Sequence, residues 1–144
     1  MELNQEAVSA VRKLYTGINQ KNVEAIKDCL DEQVDFVDMY LGSVIRGRES
    51  VGRYFQNWMD AFPDGKGEIV NLLGTDDQVV IEVIGRGTFE KPLPGWKVQL
   101  THTGESSIIR FCQIFRVQKG KILSAHSYYD LSGVLRSEAA ANAA

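Results

Sequence analysis

A chain of 144 residues in which 44% are hydrophobic and 24% charged has an ordinary globular composition, which excludes a disordered tract and predicts one domain with a real core. The formal net charge is only −3, with 16 Lys and Arg scattered among 19 Asp and Glu, which argues against nucleic acid as the main partner. No run approaches the ~18 apolar residues of a spanning helix, and residues 1–6 are polar and acidic where a secretion signal would be basic and then apolar. A cytoplasmic protein with no membrane partner is therefore expected. Cys29 and Cys112 fall in apolar patterns and read as buried thiols. They show none of the close spacing of a zinc site with His102 and His126, so neither metal nor cofactor is expected.

From Asn4 to about Asn19 the residues Ala7, Val8, Val11, Leu14, Tyr15 and Ile18 recur at three and four, which predicts an amphipathic helix capped by Asn4. Asn22 can cap a second, shorter helix with Val23, Ile26, Cys29 and Leu30 as its stripe. The stretch from Gln33 to Tyr40 reads as a strand, interrupted by Asp35 and Asp38. After Gly42 and Gly47, residues Val51, Tyr54, Phe55, Trp58, Met59 and Phe62 keep a helical period until Pro63-Asp64-Gly65. This third helix has a broad aromatic face, suited to a core or to the wall of a small-molecule pocket.

The remainder reads as sheet: Gly67 to Leu73, Gln78 to Phe89, about Ser106 to Gln118, and Lys121 to Asp130. Lys119-Gly120 is a tight-turn signal that pairs the last two strands antiparallel. The segment between Phe89 and Ser106, with Pro92, Pro94, Trp96 and some strand character at 97–102, reads as a long connection over a pocket mouth, and His102 in it as solvent-exposed. The tail 137–144 is Ala-rich and expected to fray. Helices first and a mostly antiparallel sheet after them is an α+β order in a single domain, 1–136.

In the last strand, alternation puts His126, Tyr128 and Asp130 on one face and Ala125, Ser127 and Tyr129 on the other. An imidazole, a phenol and a carboxylate on one face suit a pocket. Gln113 is a further candidate, the polar exception on a face with Ile109, Phe111, Phe115 and Val117. Ser127 with His126 and Asp130 is no hydrolase triad, because Ser127 points the other way and no nucleophile elbow is present. Arg110, Cys112, Ile114 and Arg116 make a mixed apolar and cationic outer face, read as a homodimer surface.

The element order, together with Gly47-Arg48-Glu49-Ser50-Val51, Ala61-Phe62-Pro63-Asp64, Gly87-Thr88, Thr103-Gly104, Ile114-Phe115-Arg116-Val117, Gly120-Lys121-Ile122 and Tyr129-Asp130 followed by Leu131 and Leu135, resembles the SnoaL-like polyketide cyclases of the nuclear transport factor two-like superfamily. The resemblance covers about Gln5 to Arg136. It implies a cone-shaped, cystatin-like α+β barrel, a curved sheet wrapped around the N-terminal helices, with an apolar pocket at one end. It also implies acid/base proton transfer on a small apolar carbonyl compound, with Asp130 at the position of the cyclases' catalytic Asp and His126 beside it. Tyr128, Gln113, Trp58, Phe62, Tyr54 and Phe36 would then bind substrate. The chain departs from the family at Phe89, at Lys91-Pro92-Leu93-Pro94-Gly95-Trp96 and at Glu105. Two alternatives remain: Asp130 caps a short helix from about Ser132, or the domain is a non-catalytic binding or dimerisation module.

Overall fold

The computed structural model describes residues 4–96 and 104–131. His102, the strand character at 97–102, the helix from about Ser132 and the tail 137–144 lie outside the described residues.

The chain runs α1 (Gln5–Asn19), α2 (Val23–Asp28), β1 (Leu30–Asp38), β2 (Ser43–Arg46), α3 (Arg48–Ala61), β3 (Lys66–Gly74), β4 (Gln78–Phe89), β5 (Glu105–Gln118) and β6 (Lys121–Asp130). Asn4 caps α1 by accepting from the Glu6 and Ala7 amides, and Asn22 caps α2 through the Ala25 amide. Such caps supply acceptors for amide groups that a helix start leaves unpaired. The four-residue, mostly exposed β2 is an addition to what the periodicity predicts; it is too short to show alternation.

The six strands form one curved sheet in the order β2-β1-β6-β5-β4-β3. Its neighbours pair antiparallel except β1 with β6, which pair parallel and bring the early strand beside the closing one. The β5–β6 turn places Lys119 and Gly120 both at positive φ, the backbone that matches the twist of a two-residue hairpin. The helices lie on the concave face, α1 across β3 to β6 and α3 across β1 and β2. Between helices and sheet the core collects Val11, Leu14, Ile26, Val51, Ile81 and Phe115, all essentially inaccessible. A smaller cluster around Phe62, Phe89, Ile109 and Leu131 closes the far end, and Trp58 packs against both.

One irregularity sets which side chains of β6 face the core. Val117 pairs with Ile122 but Arg116 pairs with Ser124, so Leu123 is an extra residue, a bulge. Because strand side chains alternate strictly, one inserted residue exchanges the two faces for everything beyond it. Ile122 and Ala125 are therefore both buried, and Ser127 and Tyr129 follow Ala125 inward.

Candidate active site

A cavity of about 100 Å³ opens between α1, α3 and the concave sheet. Phe36, Tyr54, Trp58, Phe62 and Gln113, five of the residues expected to bind substrate, line it. Trp58 organises the aromatic wall: its ring meets Tyr129, Phe111 and Trp96 edge-on at 5.3, 5.4 and 5.7 Å and stacks on Phe62 at 6.1 Å. Offset and edge-on pairs of this kind are the favoured aromatic geometries.

His126, Tyr128 and Asp130 do not reach this cavity. All three are exposed on the convex face, where His126 lies opposite Ile114, Tyr128 opposite Cys112 and Asp130 opposite Arg110. The expectation that they share the pocket is corrected by the bulge at Leu123, which turns their face outward. Cys29 is buried as expected, and burial pushes its thiol up to about 11. Cys112, on the convex face, is only half-buried, a correction to its reading as a core thiol.

The polar groups on the concave side come from the other face of β6. Ser127 stands in register with Asp38 of β1 on one side and with Gln113 of β5 on the other. Asp38, Ser127 and Gln113 thus form a row across three neighbouring strands. All are nearly inaccessible, Asp38 at 0%, Ser127 at 1% and Gln113 at 4% exposure.

Each end of the row is completed by helices or aromatics. Tyr15 of α1 donates its hydroxyl to Gln113 Oε1 (2.5 Å), and Gln113 Nε2 donates to Ser127 Oγ (2.9 Å). Ser127 therefore accepts through its oxygen, and among the described residues no bond takes its proton. Asp38 Oδ2 accepts the hydroxyls of Tyr54 (2.6 Å) and Tyr129 (3.0 Å), and Oδ1 accepts the Leu41 amide (2.9 Å). A carboxylate offers about four acceptor positions, so three are in use. Tyr54 and Ser127 lie on the cavity wall, while Asp38 sits directly behind them.

Burial raises the Tyr54 hydroxyl well above the ordinary phenol range, and the adjacent Asp38 charge raises it further. Tyr129 is raised for the same two reasons in the same order. Burial also raises Tyr15, with the bond to Gln113 opposing it. All three phenols keep their protons near neutrality, so the direction of each hydrogen bond is fixed.

The SnoaL-like domain family matches residues 11–125, most of the chain and nearly all of the elements that carry this site. The chain belongs to the SnoaL-like family. Solved structures with the same fold include a protein of Jannaschia sp. CCS1 provisionally named a SnoaL-like polyketide cyclase, with TM-score 0.81, 15% identity, and 97% and 96% of the two chains covered. IdmH of Streptomyces antibioticus, provisionally assigned as a polyketide cyclase, has TM-score 0.76 at 20% identity over 90% and 96%. An LEH-like epoxide hydrolase of M. tuberculosis has TM-score 0.72 at 14% identity over 95% and 92%. At such identities the likeness is one of fold. No curated protein matches the sequence.

Of the residues that build the polar row, sequence reasoning found Gln113 but not Asp38, Ser127 or Tyr15 as site residues. A signal for Asp38 exists: Val34, Phe36 and Asp38 alternate on one face of β1, and Asp38 is the polar exception there, as Gln113 is on β5.

Proposed function

We propose that this SnoaL-like domain is an enzyme that moves a proton on a small apolar carbonyl compound held in the cavity, in the manner of an isomerase or cyclase. The observation that carries the reading is the buried row Asp38, Ser127, Gln113, with Tyr54 bonded to Asp38 at the cavity wall. Enolisation needs a proton acceptor beside the carbon and a donor at the oxygen.

Ser127 is the donor. Its oxygen is held by Gln113, which Tyr15 orients in turn, so its own O–H is left to bond a carbonyl oxygen and to strengthen that bond as negative charge develops. Asp38 is the final acceptor and Tyr54 the relay. The Tyr54 oxygen takes the C–H proton while its own O–H proton passes to Asp38, leaving a neutral phenol, a protonated Asp38 and an enolate bonded to Ser127. Returning the proton at another carbon gives isomerisation; attack of the enolate on a second carbonyl closes a ring.

A specific feature also favours a non-catalytic binding module: Asp38 already has three hydrogen bonds and no direct exposure to the cavity. One experiment separates the two readings. In D₂O the wild-type domain should accelerate deuterium exchange α to the carbonyl of 2-indanone, followed by NMR, and Asp38→Asn should lower that acceleration about 100-fold. Binding of the ketone without accelerated exchange would leave the module; full exchange in Asp38→Asn would remove Asp38 from the mechanism.

We also propose that the convex face carries a homodimer. Ile108 (43% exposed) and Tyr128 (44%) are large apolar residues left at the surface there, Tyr128 opposite Cys112 and Ile108 two residues before Arg110 on the same strand.

A further inference from the structure

The cavity has a second polar end, at its rim. Lys21 follows α1 in the left-handed backbone region (φ +56°), and its ammonium donates to the Gly65 carbonyl. Lys66, the first residue of β3, reaches the opposite way and donates to the Asn19 carbonyl. Both lysines line the cavity, Lys21 half-buried and Lys66 exposed. They strap the end of α1 to the start of β3 from both sides.

Their charges are what needs explaining. A neutral amide side chain also donates to a carbonyl, so bracing alone calls for no cation. Among the described residues neither lysine forms a salt bridge. Arg86, which stands opposite Lys66 in the β3–β4 register, is 3.3 Å from Glu68. Asp64, the acid that acts on Lys21, is held at 2.7 Å by both the amide and the hydroxyl of Thr88. Burial lowers the pKa of Lys21, and the Lys66 charge lowers it further against the pull of Asp64. Two like charges at the mouth of an apolar cavity cost free energy that a bound anion would recover.

We infer that the occupant of the cavity is an amphipathic organic acid, whose apolar body fills the cavity and whose carboxylate sits at the rim between Lys21 and Lys66. This rests on the reading of the cavity as a ligand site. It adds a direction to that reading. Lys66 opens β3 and faces Arg86, five residues along β4 from Ile81, the partner of Gln113, so the acid group binds at the rim and orients the substrate without taking part in the proton transfer.

The test uses 3-phenylpropionate and its neutral amide, 3-phenylpropionamide, titrated into the same protein by calorimetry. The acid should bind at least about fivefold more tightly than the amide at low ionic strength, and the gap should narrow at about 0.3 M salt. In the double variant Lys21→Asn, Lys66→Gln, the preference should fall below about twofold while the affinity for the amide is unchanged; asparagine tolerates the left-handed backbone at position 21. Unchanged amide binding shows that the variant is folded. Equal binding of acid and amide to the wild type, or a preference that survives in the double variant, overturns the carboxylate and leaves the cavity as a ligand site. Binding of neither probe overturns both.

Discussion

Both faces of β6 carry polar side chains, a tyrosine on each, and the faces have opposite surroundings. On the convex side His126, Tyr128 and Asp130 are exposed; on the concave side Ser127 joins Asp38, Tyr54, Gln113 and Tyr15 away from water, and the half-buried Tyr129 reaches in to Asp38. Residue type is thus a poor guide to a site until the face is known. A phenol at Tyr128 is 44% exposed, whereas its neighbour Tyr129 donates to a fully buried carboxylate. Burial, then the Asp38 charge, raises the Tyr129 phenol above its ordinary range.

The largest test of this contrast is stability. Asp38→Ala removes the acceptor for two buried phenols and one amide, and should cost about 3 kcal/mol, since each buried donor left unpaired costs on the order of 1–3 kcal/mol and partial relaxation offsets some of it. For a chain of this size that lowers Tm by roughly 6–12 °C. His126→Ala, on the other face, should stay within about 0.5 kcal/mol. Thermal unfolding followed by circular dichroism measures both; equal small effects would mean that the Asp38 cluster is not the packed, desolvated network described above.

Much of the frame was legible in the sequence because periodicity in long elements survives local irregularity. The stripe from Ala7 to Ile18, the aromatic face from Val51 to Phe62 and the Lys119-Gly120 turn all lie where the spacing predicts. Gln113 was legible as well, as a polar residue on an otherwise apolar face. The polarity of β6 was not, because a single extra residue, Leu123, exchanges its faces, and no residue type marks a bulge in a strand this mixed. Nor could the row itself be read. The pairing of Asp38 with Ser127 joins residues 89 positions apart through the parallel β1–β6 contact, and Lys21 meets Lys66 at the rim only because α1 ends beside the start of β3.

A second, somewhat smaller effect comes from alkaline pH. Tyr15, Tyr54 and Tyr129 have phenols raised by burial in the folded chain, so the unfolded chain loses protons first. Their contribution is fully present below the unfolded value of ~10 and is lost as pH rises beyond it. Urea midpoints should therefore fall steeply above about pH 10, and less steeply in Tyr15→Phe. Phenolate absorbance from the three buried rings should appear together with unfolding and not before it.

The convex face should answer differently from the concave one, through assembly and not through chemistry or core stability. Ile108 and Tyr128 occupy neighbouring antiparallel strands on that face, with Cys112 directly opposite Tyr128 and Ile114 opposite His126. Arg110, opposite Asp130, stands between Ile108 and Cys112 on this face and Arg116 follows Ile114, so a partner surface would meet apolar side chains interleaved with charge. Sedimentation equilibrium at micromolar concentration should give twice the chain mass for the wild type and the single-chain mass for Ile108→Arg with Tyr128→Glu. The substituted side chains project away from the cavity, so the same double variant should keep the deuterium exchange of the wild type to within about twofold. A monomeric wild type would remove the dimer and leave the concave site as it stands. A dimer whose dissociation abolished exchange would show that the two faces of β6 are coupled, and that the site depends on the partner across the sheet.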